Sequence, residues 1–303
     1  MKKEFYDALT QLTAEKNVLT DEPMKKHVTF RVGGAADYFV SPESAEEVQK
    51  IILLCKEAGM PYYILGNGSN LLVSDHGYRG VIIQIYKSMS EVSVKGELVT
   101  AQAGALLSAI AAKAAEESLT GFEFASGIPG TIGGAAVMNA GAYGGEMKDV
   151  LEQVTVLTKE GELLTLPREE LEMGYRTSRV ARNQYIVLEA VIRLTHGEQK
   201  QIRETMNELK EKRTTKQPLE YPSAGSTFKR PEGYFAGKLI EDAGLRGFQV
   251  GGAQVSEKHC GFVINKDNAT AAEVRELIRQ VSERVKANSG VTLEPEVKML
   301  GEF

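Results

Sequence analysis

Cysteine is scarce in this chain: two in 303 residues, Cys55 within an apolar helical run and Cys260 within KHCGFVIN. Neither sits in a C-x-x-C pair or at metal-ligand spacing, and a reducing cytosol is expected. The four histidines, at 27, 76, 196 and 259, are too scattered to form a metal cluster. A basic excess is also missing. With a net charge of -5 and a pI near 5.6, the surface argues against nucleic acid or an anionic membrane as partner. No apolar stretch approaches the roughly 18 to 20 residues of a membrane span. The charged start MKKEFYDALT lacks a following apolar core and cleavage site, which reads as an unprocessed cytoplasmic protein. The G-x-S-x-G elbow, H-E-x-x-H and the Walker loop are all absent.

What the chain has in quantity is glycine, 30 residues of it. The stretch FEFASGIPGTIGGAAVMNAGAYGGEM, residues 122–147, gathers seven: Gly127, Gly130, Gly133, Gly134, Gly141, Gly144 and Gly145. Glycine weakens helix and strand interiors by about 0.5 to 1 kcal/mol relative to Ala, so its concentration here implies φ freedom or close approach. Thr131 opens TIGGAAVMN, one or two helical turns whose free N–H groups would face an anion. That describes a phosphate cradle; a glycine-rich crossover packed on a sheet is the alternative.

The length predicts two or three domains, and 42% apolar with 25% charged residues is ordinary for a soluble enzyme. Residues 3–15 read as an amphipathic helix. Val28, Phe30 and Val32 alternate as a strand before the Gly33–Gly34 break, and a second strand follows at Tyr38 to Val40. Ser44 caps SAEEVQKIILLCKEAG, with Glu47 at the capping-box position and Gly59 at its end. The loop Gly66-Asn67-Gly68-Ser69-Asn70 lies between two apolar strands, as a hairpin turn or a pyrophosphate loop. A dinucleotide G-x-G-x-x-G fingerprint fails because position 71 is Leu and no helix follows. Next come short strands in VIIQI, VSV and LVTAQA, the helix ALLSAIAAKAAEESL, a hairpin turned at Glu160-Gly161, a short helix in PREELEM and the long buried strand YIVLEAVIRLT. Gln199 to Arg213 form a charged helix. Residues 235–243 and 270–287 read as helices, and FQVGGAQV, GFVIN and VTLEPEVKML as strands. Strands and helices alternate irregularly, which predicts α+β layers.

Three places carry groups suited to chemistry. Arg176, in Gly174-Tyr175-Arg176-Thr177-Ser178, offers an always-charged fork for a carboxylate or developing anion; most arginines only solubilise a surface. Ser226, in Ala224-Gly225-Ser226-Thr227-Phe228, can present a proton or a nucleophile, or be an ordinary turn residue. Glu296, in Leu293-Glu294-Pro295-Glu296-Val297, stands in an expected strand where burial would raise its pKa or an arginine would pair with it. A solvated strand face is the plain alternative.

Taken together, GNGSNLLVSD at 66–75, SGIPGTIGGAAVMNAGAYG at 126–144, GYRTS at 174–178, AGSTFKRP at 224–231 and LEPEV at 293–297 resemble the UDP-N-acetylenolpyruvoylglucosamine reductase (MurB) family of flavoenzymes along nearly the whole chain. The first two motifs recur in related FAD-binding folds, and the ordered set of five is specific. The resemblance implies an α+β chain: a two-domain FAD-binding fold of the vanillyl-alcohol-oxidase (PCMH) type in residues 1–85 and 86–198, then a substrate-binding α+β domain in 199–303 whose C-terminal strand returns toward the active site. It implies non-covalent FAD held by Gly66, Asn67, Gly68, Ser69 and Asn70 and by Ser126, Gly127, Gly130, Thr131, Gly133, Gly134, Asn139, Gly141 and Ala142.

The implied reaction is a relay in which NADPH reduces FAD and leaves, then the enolpyruvyl ether of UDP-N-acetylglucosamine accepts hydride from flavin N5 at C3. Charge developing at C2 spreads into the adjacent carboxylate, where Arg176 and Glu296 match the family's pair. A protonated Glu296 would donate to the enolate; an ionised one would orient Arg176. Ser226 matches the proton donor to C2, and Lys216 a residue on substrate phosphate or carboxylate. Two departures stand out. Arg230 replaces an Asn that contacts substrate in some members, and the chain matches the shorter subtype without the loop that lays a Tyr over the substrate, leaving Tyr175 or Tyr234 to contribute. The rivals are an oxidase or sugar dehydrogenase of the same fold with flavin tethered through a residue such as His27, and a non-catalytic nucleotide-binding protein.

Overall fold

A strand buried on both faces needs a continuous apolar run, and YIVLEAVIRLT supplies one. Ile186–Arg193 is the middle strand of a five-stranded antiparallel sheet ordered Leu163–Pro167, Leu151–Leu157, Ile186–Arg193, Leu98–Gln102, Val92–Lys95. The expected hairpin pairs Leu157 with Leu163 and turns through Gly161 at φ +85°. The computed structural model describes residues 2–303. Its chain divides into two compact units, both discontinuous: residues 2–20, 38–67 and 80–213, and residues 21–37, 68–79 and 214–303.

In the first unit the helix Ala45–Glu57 buries Val48, Ile51, Ile52 and Cys55, one stripe at helical spacing. They share a core with Val81 and Ile83 of the strand Tyr78–Gln84, which pairs in parallel with Tyr62–Leu65. Truncating such a side chain to Ala costs about 2 to 5 kcal/mol. Ser44 accepts from the Glu47 amide as expected, but the Glu47 carboxylate reaches the Glu43 amide instead of that of Ser44. The helices Leu107–Glu116 and Ile132–Met138 contribute Leu107, Ile110, Ile132, Ala135 and Ala136 to the same core.

The second unit is built on the long helix Ala271–Ser289, whose buried Val274, Leu277, Ile278, Val281 and Val285 pack with Phe30, Leu72, Ile240 and Val255. Its N-terminus is doubly capped. Thr270 and Glu273 form a capping box, and both oxygens of Asp75 accept amides, from Ala271 at 2.8 Å and Ala272 at 2.9 Å. A small antiparallel sheet, Gln249–Val250, Ala253–Val255 and Val263–Asn265, lies in this unit, as does the parallel pair Leu71–Val73 with Lys298–Leu300.

Four local expectations are corrected. Residues 28–32 are not a strand; Arg31 turns at φ +56°, and the alternation instead reports burial, since Val28, Phe30 and Val32 are all inside. The loop 66–70 is no hairpin, because the strands flanking it lie in different sheets. Within 291–300 only Lys298–Leu300 is a regular strand, and Glu296 precedes it. PREELEM yields a single 3-10 turn, Arg168–Glu170.

Candidate active site

The first unit ties two of the glycine motifs together. Asn67 Nδ2 donates to the Pro129 carbonyl at 3.4 Å and Gln84 Nε2 to the Gly66 carbonyl at 3.2 Å. A Cβ on Gly66 would stand 2.6 Å from Thr131 Oγ1, so this glycine is needed for packing. Thr131 is buried and caps Ile132–Met138, accepting from the Gly134 amide at 3.5 Å.

The helix's free amides are not what the sequence suggests. Ile132 N–H goes to the Ala105 carbonyl and Gly133 N–H to that of Ala103, both at 2.9 Å. The helix end is therefore docked on the preceding loop, and a Cβ at Gly133 would meet the Ala103 Cβ at 2.9 Å. Gly134 is different: it is exposed, and a Cβ there would find nothing nearer than 3.8 Å. Glycine inside a helix costs about 1 kcal/mol, and no neighbouring protein atom requires it. The backbone at Gly134 is open to close approach, and a flat cofactor such as FAD would fit against it. Among the described residues, the amides of Asn67, Gly68, Ser69 and Asn70 donate no hydrogen bond, so the loop keeps four backbone donors available to an acceptor.

Asn139 ends the helix in the left-handed region at φ +44°, fully buried. Its Nδ2 donates to Glu146 Oε2 and to the Gly174 carbonyl, each at 3.0 Å, and its Oδ1 accepts from the Lys148 amide at 2.9 Å. Both its donors are spent on protein, and one of them anchors the turn that carries Arg176. That turn closes by reciprocal bonds between Gly174 and Thr177, at 3.0 and 3.3 Å. Ser178 pins its far side, donating to the Val137 carbonyl at 2.8 Å. Arg176 itself holds φ +54°, where glycine is usual, and its guanidinium lies 5.1 Å from the centre of the half-exposed Tyr175 ring. The turn is thus held at both ends, with the Arg176 backbone in a conformation that is costly for a residue with a Cβ. Glu146, bonded to Lys148 and Asn139 and within the field of Arg176, is held below its ordinary pKa.

In the second unit Ser226 and Glu296 are neighbours through Thr227. Buried Thr227 donates its amide to the Gly261 carbonyl (2.9 Å), accepts the Val263 amide on Oγ1 (2.9 Å) and accepts the Glu296 amide on its carbonyl (2.8 Å). Phe228 bridges Pro295, and the Lys229 amide donates to the Glu294 carbonyl. Ser226 is exposed, follows Gly225 at φ +73°, and its hydroxyl makes no hydrogen bond among the described residues. Asn70 brackets the acid from the other side: its Nδ2 donates to the Glu296 carbonyl at 3.4 Å and its own carbonyl accepts the Lys298 amide at 3.1 Å. Lys216 is exposed at the end of the helix Gln199–Lys216, and Arg230 stacks 4.0 Å from the Phe235 ring centre while donating Nε to the Tyr234 carbonyl. His27 Nε2 pairs with Glu22 Oε1 at 3.0 Å.

One residue escaped the sequence reading. Arg213 continues the stripe Ile202, Met206, Leu209 along its helix, an arginine where an apolar side chain is expected. That spacing was the available signal.

Residues 36–167 match the FAD binding domain family and residues 217–300 the family described as UDP-N-acetylenolpyruvoylglucosamine reductase, C-terminal domain. Proteins named UDP-N-acetylenolpyruvoylglucosamine reductase are similar over essentially full length: one from Agathobacter rectalis at 57% identity (100% of both chains) and one from Geobacillus kaustophilus at 53% (99% of this chain, 98% of that one). The crystal structure of the reductase of this name from Thermus caldophilus superposes with a TM-score of 0.81 at 36% identity, covering 94% of this chain and 98% of that one. The glucose dehydrogenase Phl p 4.0202 shares the fold alone, with a TM-score of 0.51 at 13% identity over 65% of this chain and 44% of its own. The expected α+β class, an FAD-binding fold followed by a C-terminal domain, is borne out.

Proposed function

Since the chain belongs to the UDP-N-acetylenolpyruvoylglucosamine reductase family, we propose that it reduces the enolpyruvyl ether of UDP-N-acetylglucosamine to UDP-N-acetylmuramate, with NADPH as electron source, in the cytoplasmic synthesis of peptidoglycan precursors. FAD, held non-covalently, would supply the hydride chemistry from N5 to C3 of the substrate, with NADPH as its reductant. The chain's own residues do the rest.

Ser226 delivers the proton to C2. A serine is a weak acid, but the carbon it meets is a strong base, so position outweighs pKa. Its hydroxyl is exposed, which lets solvent restore the proton. Arg176 takes the substrate carboxylate with its fork, and Glu296 sets the charge on that carboxylate as C2 becomes anionic. Lys216, Arg230 and Tyr175 serve the UDP-sugar. Asn67 to Asn70, with Ser126, Gly127 and Gly134, line the FAD, while Gly66, Gly130, Thr131, Gly133, Asn139, Gly141 and Ala142 shape that wall. In this reading residues 1–85 and 86–198 are the two FAD-binding parts and 199–303 the substrate part.

The observation that carries the reading is the Ser226 hydroxyl, which has no hydrogen-bond partner among the described residues and whose neighbour Thr227 is bonded through its backbone to Glu296. Anaerobic mixing tests it: NADPH should bleach the yellow protein, and enolpyruvyl-UDP-N-acetylglucosamine should restore the colour with one product formed per flavin. Bleaching that the sugar nucleotide cannot reverse would refute it.

A further inference from the structure

Arg213 is a charge on the inward face of its helix. Its stem lies over the glycine motif, where a Cβ on Gly127 would be 3.2 Å from Arg213 Cδ and 3.4 Å from Nη1. The side chain is half-buried, and loss of water pulls its pKa below the ordinary value. Among the described residues no carboxylate pairs with it and no acceptor takes its hydrogen bonds; the charge that opposes the loss of water is that of the Tyr143 hydroxyl, in the same glycine stretch.

A guanidinium in that condition is costly unless something anionic completes it. The negative end of its own helix offsets part of the cost, but a dipole does not satisfy five N–H donors. Gly127 leaves room where a side chain would push the fork aside. We propose that Arg213 binds FAD through one of its delocalised oxyanions, either the pyrophosphate or the N1–C2 carbonyl edge that carries charge in the reduced flavin. This rests on the reading of the 126–134 wall as the flavin site and goes beyond it by naming the cation.

The test uses apoprotein from the wild type, Arg213→Met, which keeps the stem, and Arg213→Lys, which keeps the charge without the fork. Each is titrated with FAD and with riboflavin by fluorescence quenching, and the two-electron midpoint potential of the reloaded protein is measured. If the pyrophosphate is the partner, Arg213→Met weakens FAD binding tenfold or more and leaves riboflavin unaffected. If the reduced ring is the partner, affinity for oxidised FAD holds and the potential falls, by about 30 mV for each tenfold loss in binding of the reduced form. Arg213→Lys falls between. Unchanged FAD affinity and unchanged potential in Arg213→Met overturn the proposal, as does an effect confined to UDP-sugar binding. Should Arg213→Met fail to fold, Arg213→Lys and Arg213→Gln carry the same readings. Gly134→Leu, run alongside, separates the two ideas. If it keeps wild-type FAD affinity, the flavin wall itself is misassigned; if it loses FAD while Arg213→Met keeps both wild-type affinity and wild-type potential, only Arg213 is.

Discussion

The Glu296 amide donates to the Thr227 carbonyl at 2.8 Å, and so a carboxyl and the hydroxyl of Ser226 are held on adjoining backbone although 70 positions separate them in sequence. Thr227 is the hub: its hydroxyl and amide are spent on 261–263, leaving its neighbour's hydroxyl as the group presented outward. Such a layout fits a proton donor on rigid support.

Ser226→Ala should therefore leave bleaching by NADPH near the wild-type rate and slow the recovery of colour with the enolpyruvyl substrate by about two to four orders of magnitude, the usual worth of general acid catalysis. Stopped-flow absorbance resolves the two phases. Recovery at the wild-type rate would take Ser226 out of the reaction.

Arg176 combines strain with charge. Arg176→Lys keeps the charge but loses the fork, and turnover should fall by at least about a hundredfold. Arg176→Gly removes the group altogether while suiting φ +54°; a left-handed non-glycine residue costs on the order of 1 kcal/mol or more. The Gly variant should melt no lower than the wild type and be inactive. A clear drop in its Tm would mean that Arg176 holds the turn together instead of serving the substrate.

How far the sequence could be read divides along physical lines. Elements with a strong period or caps were legible: the stripe and Ser44 cap of Ala45–Glu57 and the apolar run of Ile186–Arg193. The three motifs bearing Arg176, Ser226 and Glu296 were legible as chemistry, but the partners that position them were not. Asn139 gripping the Gly174 carbonyl and Asn70 gripping that of Glu296 are long-range bonds with no local signature. Glycine was ambiguous for a related reason. Gly133 and Gly134 are adjacent letters, yet one meets Ala103 and the other open space, a distinction that exists only once the chain is folded. Val28, Phe30 and Val32 mimic a strand because burial of alternate residues does not require a ladder.

Glu273 gives the fold of the second unit a pH dependence with a definite sign. Its carboxylate accepts the amides of Thr270 at 2.9 Å and Gly252 at 3.1 Å, and those backbone bonds hold its pKa below the ordinary 4.5. A folded-state pKa below the unfolded one stabilises the fold above the unfolded value and loses that contribution as pH falls through the folded one. The Tm advantage of the wild type over Glu273→Gln should be full above about pH 5 and shrink from there toward about pH 3. Thermal melts across that range check it. A gap independent of pH would assign the loss to geometry instead of charge.

Thiol chemistry offers a last check on what carries electrons here. Cys55 lies on the buried stripe of its helix, and burial pushes its thiol up to about 12; at pH 8 only about one molecule in ten thousand would be thiolate. Cys260 is also buried, and desolvation raises its pKa despite the opposing field of Arg246. The native protein should resist iodoacetamide at pH 8 at both positions, take up two carbamidomethyl groups in urea, and keep full reductase activity after native treatment. Peptide mass mapping reads the sites. Rapid labelling of native Cys55, with activity lost in step, would bring back a thiol relay. Its absence leaves the flavin as the carrier between NADPH and the sugar nucleotide in the proposed reaction.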